Sequence, residues 1–137
     1  MLAEADRAEL IEQFAAARVG HGLGETPGVE AHRRSPVCGD DVTVRVVFDG
    51  DRIAALRWEG HGCVVSTAAA SALAATASGL VLVEFRRLAD RYLLALEAEA
   101  SADPELGDLE AFAGIGRYPL RAGCASLAWR AALEAVA

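Results

Sequence analysis

The sequence contains no lysine and no asparagine. All 13 basic side chains are arginine, set against 20 carboxylates, so the formal net charge is −7 and the pI about 4.9. So acidic a chain lacks the broad cationic face that neutralises nucleic-acid phosphates, which argues against a nucleic-acid partner. Both missing residues have AT-rich codons, so their absence reads as GC-rich coding composition and not as a functional choice. Cysteine is scarce as well, with three in the chain. The first residues, Met1 to Phe14, carry acids early and show no apolar core followed by a cleavage site. An odd cysteine count without such a leader argues against a disulfide framework and predicts a cytoplasmic protein.

What is present is apolar. Hydrophobic residues make up 53% and charged residues 24% of 137 positions, enough for one folded domain spanning residues 1–137. The run from Cys63 to Val83 has no charge and is long enough to span a bilayer. It is mostly alanine, however, with Ser66, Thr67, Ser71, Thr76 and a Ser78-Gly79 stop inside it. Alanine gains little from lipid, so the run predicts a buried helix and no membrane association.

Leu2 to Arg18 predicts a helix with Leu10, Ile11 and Phe14 on its apolar face. The glycine-rich stretch from Gly20 to Gly28 predicts a loop, which takes in His21 and reaches toward His32. Its Gly-x-Gly-x-Gly pattern is not a dinucleotide fingerprint, because no strand precedes it. Asp41 to Phe48 alternates, with Val42, Val44, Val46 and Phe48 on one face. Asp49-Gly50-Asp51 signals a hairpin, and Ile53 to Trp58 returns with Ala54, Leu56 and Trp58 inward. Ser66 or Thr67 is placed to cap a helix ending near Ser78, with Gly79 at C′. A helix from Val81 to Ala98, a looser stretch from Ser101 to Arg121, and a last helix from near Cys124 to Val136 follow. The order predicts an α+β fold: a small antiparallel sheet of about three strands packed against four to five helices.

Each cysteine falls at the predicted end of an element. Cys38 sits in a turn before the first strong strand, Cys63 at a strand–helix junction, and Cys124 at the start of the last helix. Packing cysteines favour element interiors, whereas ligands and reactive thiols favour ends and helix N-termini. Three thiolates are one ligand short of a tetrahedral zinc site, and Asp40, one glycine beyond Cys38, is placed to complete it. There is no Cys-x-x-Cys pair, so spacing alone leaves open a shared metal site and scattered buried cysteines. His61, two residues before Cys63, competes for the fourth position; the alternative is an exposed loop histidine. A Cys–His nucleophilic pair using His61 finds no acid placed to orient the ring.

The local sequences also resemble a known family. Pro36-Val37-Cys38-Gly39-Asp40 resembles the first cysteine motif of IscU/NifU-type iron–sulfur cluster assembly proteins. Gly60-His61-Gly62-Cys63-Val64-Val65-Ser66 resembles the second, and Arg117 to Trp129, around Cys124, the third. Gly107-Asp108-Leu109-Glu110-Ala111-Phe112-Ala113-Gly114 and the long segment between the second and third cysteines resemble the SufU branch. Gly123 stands where IscU scaffolds place a histidine before the last cysteine. The chain departs from the family pattern after the first helix, and at Gly79-Leu80, where Gly-Lys is usual.

The resemblance implies a zinc protein that accepts sulfur from a SufS-like cysteine desulfurase and passes it to a downstream cluster scaffold or acceptor protein. It implies Zn²⁺ on Cys38, Asp40, Cys63 and Cys124. A partner histidine then displaces Cys38, which takes the persulfide, while the other three keep the metal. Arg121 matches a basic position of the third motif, either steadying the thiolate or simply solvated. The alternatives are a scaffold that assembles a [2Fe–2S] cluster on the same residues, iron replacing zinc, and a zinc-stabilised interaction domain.

Overall fold

The computed structural model describes residues 3–36, 39–97, 103–115 and 118–137. Cys38 and Ala98 lie outside the described residues. Helix α1 covers Glu4–Ala17 and three strands follow: β1 Val29–Arg34, β2 Asp41–Asp49 and β3 Arg52–His61. Then come α2 Val64–Ala77, α3 Leu82–Glu97, a 3-10 segment Pro104–Phe112 kinked at Gly107, and α4 Pro119–Ala135.

The strands form one antiparallel sheet in the order β1-β2-β3. Alternation in β2 is realised: Val42, Val44 and Val46 are buried. In β3 the inward set is Ile53, Leu56 and Trp58, whereas Ala54, expected inward, is exposed. The cause is a bulge: Val47 pairs with Ala55 but Phe48 with Ile53, so one extra residue shifts the facing pattern. Strand β1 falls where the sequence suggests only loop, and it carries His32. Only Ala31 of β1 is even half-buried, so no apolar alternation marks this strand.

The helices cover the sheet. Helix α4 crosses β1 and β2, while α2 lies on β3 and is itself covered by α1 and α4. Being enclosed on several sides, α2 has no polar face; Ala68, Ala69, Ala70, Ala72, Ala74 and Ala77 are all buried. Alanine permits the close backbone approach that such a central helix requires. Its one fully buried hydroxyl, Ser71, accepts the Val19 N–H at 2.9 Å and so ties down the chain after α1. The uncharged run from Cys63 to Val83 is therefore two elements with a turn at Ser78-Gly79. No helix of the described residues is long and apolar enough to cross a membrane.

Two end assignments differ from the sequence expectation. Cys63 itself is the N-cap of α2, and neither Ser66 nor Thr67 caps it. Helix α4 begins at Pro119, whose fixed φ and missing N–H suit a first helical position. Cys124 therefore lies in the second turn and not at the helix start, out of reach of the free N–H groups of the first turn. An aromatic stack holds α4 in place: Trp129 lies on Tyr92 with centroids 4.1 Å apart, and its Nε1 donates to the Ala69 carbonyl at 3.1 Å.

Candidate metal centre

Three chain segments meet at one end of the sheet. The cross-strand pair Asp41–His61 closes the β2–β3 ladder, so Asp40 enters beside the Gly62-Cys63 exit of β3. The loop bearing Asp40 is closed at its base: the Ser35 N–H donates to the Asp40 carbonyl at 2.7 Å, and the Gly39 N–H to the Ser35 carbonyl at 3.3 Å. Helix α4 brings Cys124 over the same point from above.

Glycine makes this approach feasible. A Cβ at Gly60 would stand 2.1 Å from the Asp41 carbonyl oxygen, and one at Gly62 2.6 Å from Ser66 Cβ and 3.3 Å from the Asp40 carboxyl carbon. The Gly-His-Gly spacing before Cys63 is thus a backbone requirement of the site.

Asp40 and Cys124 are buried, and Cys63 is exposed. The Cys124 thiol donates to Asp40 Oδ2 at 3.3 Å. One ligand atom each from Asp40, Cys63 and Cys124 lies within 4.8 Å of the others, and this is the one such His/Cys/Asp/Glu group among the described residues. A tetrahedral ion with Zn–S near 2.3 Å and Zn–O of 2.0–2.2 Å spaces its ligand atoms about 3.5–3.8 Å apart. Closing onto an ion therefore takes a contraction of no more than about 1 Å at any pair. Two thiols and a carboxylate suit zinc, and thiolates also suit iron. The residues fit the metal.

Of the sequence candidates, the structure brings together Asp40, Cys63 and Cys124. It does not bring His61 into the group: that residue ends β3 as an exposed side chain. His21 is exposed too, its ring edge-on to Trp58, and His32 Nε2 faces Asp41 Oδ1 at 3.5 Å. Arg121 is exposed on α4, three residues before Cys124, with its guanidinium 5.6 Å from the Tyr118 ring centroid. Ser66 is a site residue that the sequence marks as the end of the second motif and as a candidate cap, with no role at the metal. Its hydroxyl donates to Asp40 Oδ2 at 2.6 Å. The available signal was its place three residues after Cys63, one helical turn on, which turns it back toward the same point.

Residues 7–125 match the family model of the NifU-like N terminal domain. The chain belongs to this family. It is 36% identical over 118 residues to the iron–sulfur cluster assembly scaffold protein IscU of Streptococcus pyogenes serotype M1, covering 85% of this chain and 74% of that one. It is 32% identical over 106 residues to the zinc-dependent sulfurtransferase SufU of Bacillus subtilis strain 168, covering 75% and 71%. Among solved structures, a hypothetical protein superposes with TM-score 0.84 at 31% identity over 98% of both chains. A candidate SUF-system cluster assembly scaffold from Fervidobacterium islandicum AW-1 superposes with TM-score 0.79 at 27% identity, over 94% of this chain and 95% of that one. The three-stranded sheet under helices is thus the fold of IscU- and SufU-type proteins, and the chain is a member of the iron–sulfur cluster assembly scaffold family.

Proposed function

We propose that this protein is a zinc-dependent sulfur acceptor that receives persulfide sulfur from a cysteine desulfurase on Cys38. The observation that carries the reading is the converged group Asp40, Cys63 and Cys124, with Cys38 two positions before Asp40 in the chain. Asp40, Cys63 and Cys124 are assigned to hold the metal, with Cys38 as its exchangeable fourth ligand. When bound, zinc supplies a local positive charge that favours thiolate over thiol.

The transfer itself is thiol–disulfide-type exchange. The Cys38 thiolate attacks the outer sulfur of the desulfurase persulfide, forming a new S–S bond. The old S–S bond breaks, and the desulfurase cysteine leaves as thiolate. Cys38 then carries the outer sulfur for delivery to a downstream scaffold or acceptor. In this reading Arg121, one turn before Cys124 on α4, is assigned to steady the sulfur anion. Three protein ligands plus one exchangeable position is the pattern of a working zinc site, where a closed four-ligand set is the pattern of a structural one.

The test combines metal analysis with a transfer assay using a SufS-type cysteine desulfurase. One zinc per chain is expected, with desulfurase turnover that rises on adding the protein and no longer rises with Cys38→Ala. Brown protein with visible absorbance after anaerobic purification would instead identify a [2Fe–2S] scaffold; cluster assembly scaffold is the name carried by the Streptococcus relative. Zinc retention with no stimulation would leave a zinc-stabilised interaction domain.

A further inference from the structure

We propose that Ser66 is a positioning residue for the metal centre, holding the Asp40 carboxylate in its ligating orientation. The inference rests on the metal reading of the Asp40, Cys63 and Cys124 group.

Ser66 lies in the first turn of α2, at the third helical position after the Cys63 cap. A serine there does not cap its own helix, and the α2 N-terminus has no side-chain cap. Its hydroxyl instead turns away from the helix, with Asp40 Oδ2 at 2.6 Å and the Cys124 carbonyl at 3.4 Å. A hydroxyl has one proton to give. The carboxylate contact is the shorter by a wide margin and lies in the range of a charge-assisted O–H···O⁻ bond. The proton therefore belongs to Asp40, and the carbonyl contact marks how closely α4 approaches α2 here.

The geometry converts a local feature of α2 into control over a residue from another segment. Asp40 has two side-chain torsions, and the second, at the carboxylate, is broad. The Ser66 hydroxyl is a nearer donor on Oδ2 than the Cys124 thiol, which lies at 3.3 Å, so its loss leaves the carboxylate plane less firmly held and its oxygens less well placed toward Cys63 and Cys124. With Oδ2 pinned from α2, the same helix whose N-cap supplies Cys63 also sets the orientation of Asp40. Two ligands of the site are thus registered to one rigid element. Gly62 keeps the space for this bond, since a Cβ there would meet Ser66 Oγ at 3.0 Å. Hydrogen bonds to ligating carboxylates tune metal affinity, and their loss costs about 10–100-fold.

The test measures zinc affinity by competition with a chelating dye for wild type, Ser66→Ala, Ser66→Thr, Asp40→Ala and the Asp40→Ala/Ser66→Ala double variant. Ser66→Ala is expected to weaken zinc binding about 10–100-fold. Ser66→Thr, which keeps the hydroxyl, is expected to restore most of that loss. In the Asp40→Ala background, Ser66→Ala is expected to change affinity by less than about twofold, because its effect passes through Asp40. A thermal unfolding curve of each metal-free variant separates loss of ligand orientation from loss of fold. Wild-type affinity in Ser66→Ala overturns the proposal, as does an equal loss with and without Asp40. A wild-type protein that takes up no zinc overturns the metal reading itself, an outcome distinct from both.

Discussion

Cys124 and Asp40 lie 84 positions apart in the chain, yet the Cys124 thiol donates to Asp40 Oδ2 at 3.3 Å in a buried contact. A thiol is a weak donor, so this contact by itself adds little to the stability of the fold. The same two groups are part of the Asp40, Cys63 and Cys124 cluster proposed above to hold the metal. The relationship also shows why α4, β2 and the Asp40 loop must be built together before any site exists.

Metal removal is the first consequence. Ligand binding to the native state alone stabilises by about 4 kcal/mol at a thousandfold excess over Kd. For a chain of this length, that corresponds to roughly 10 °C or more in Tm. Stripping with a chelator should lower Tm by that order, and one equivalent of zinc should restore it. Asp40→Ala and Cys124→Ser should each abolish most of the zinc-dependent gain. A Tm indifferent to chelator and zinc would contradict the metal assignment.

Two glycines near the site should respond in opposite directions. Gly60→Ala places a methyl against the Asp41 carbonyl and the Val42 backbone, forcing the β2–β3 end apart. A loss of more than about 2 kcal/mol is expected, with weaker zinc retention because Asp40 and Cys63 flank that end. Gly123→Ala, by contrast, meets nothing within 4 Å and lies inside α4. Helix propensity then favours alanine by about 0.5–1 kcal/mol, so Tm should rise by a few degrees despite the neighbouring Cys124. Denaturant unfolding of both variants checks the pair.

Ser71 gives a prediction away from the metal. It is the fully buried hydroxyl in an alanine-rich helix, and its Oγ accepts the Val19 N–H. Ser71→Ala leaves that amide unpaired and should cost about 1–3 kcal/mol. The loss should appear as faster amide exchange in the loop after α1 and as a lower denaturant midpoint, with zinc stoichiometry unchanged.

Legibility in the sequence followed burial. Val42, Val44 and Val46 announce β2 because one face of that strand is covered, and α3 likewise buries Phe85, Tyr92 and Leu96 along one face. Strand β1 is held by backbone pairing to β2 and has little buried side-chain surface, so Val-Glu-Ala-His-Arg-Arg carries no period to read. The outward turn of Ala54 has no sequence signal, because a bulge is a property of the strand pair and alanine is indifferent to either face. Helix α4 starts earlier than the sequence suggests because Pro119 reads as part of a loose stretch rich in glycine and proline, although proline equally suits a first helical position. At the site, the residue types that converge are legible from their chemistry. The contact of Ser66 is not, because its partner, Asp40, lies in a different segment.

Tyr92 makes a prediction in pH. It is fully buried, stacked on Trp129 and edge-on to Phe112, and its hydroxyl donates to the Ala125 carbonyl at 2.8 Å on α4. Burial disfavours the phenolate and pushes the hydroxyl well above its ordinary value of 10.0. Below about pH 10 the phenol is neutral in both folded and unfolded chains, and its full contribution is present. Above that, the unfolded chain releases the proton while the folded one keeps it. The unfolded state then binds fewer protons, so stability must fall as pH rises. The loss continues until the folded-state group itself titrates. Tyr92→Phe should lower Tm modestly near neutral pH, since about 1 kcal/mol goes with the lost hydrogen bond. It should also flatten the decline between roughly pH 9 and 11, so that the two Tm curves converge with rising pH. Parallel curves across that range would mean that the ring is packed in the stack without its hydroxyl being held away from water.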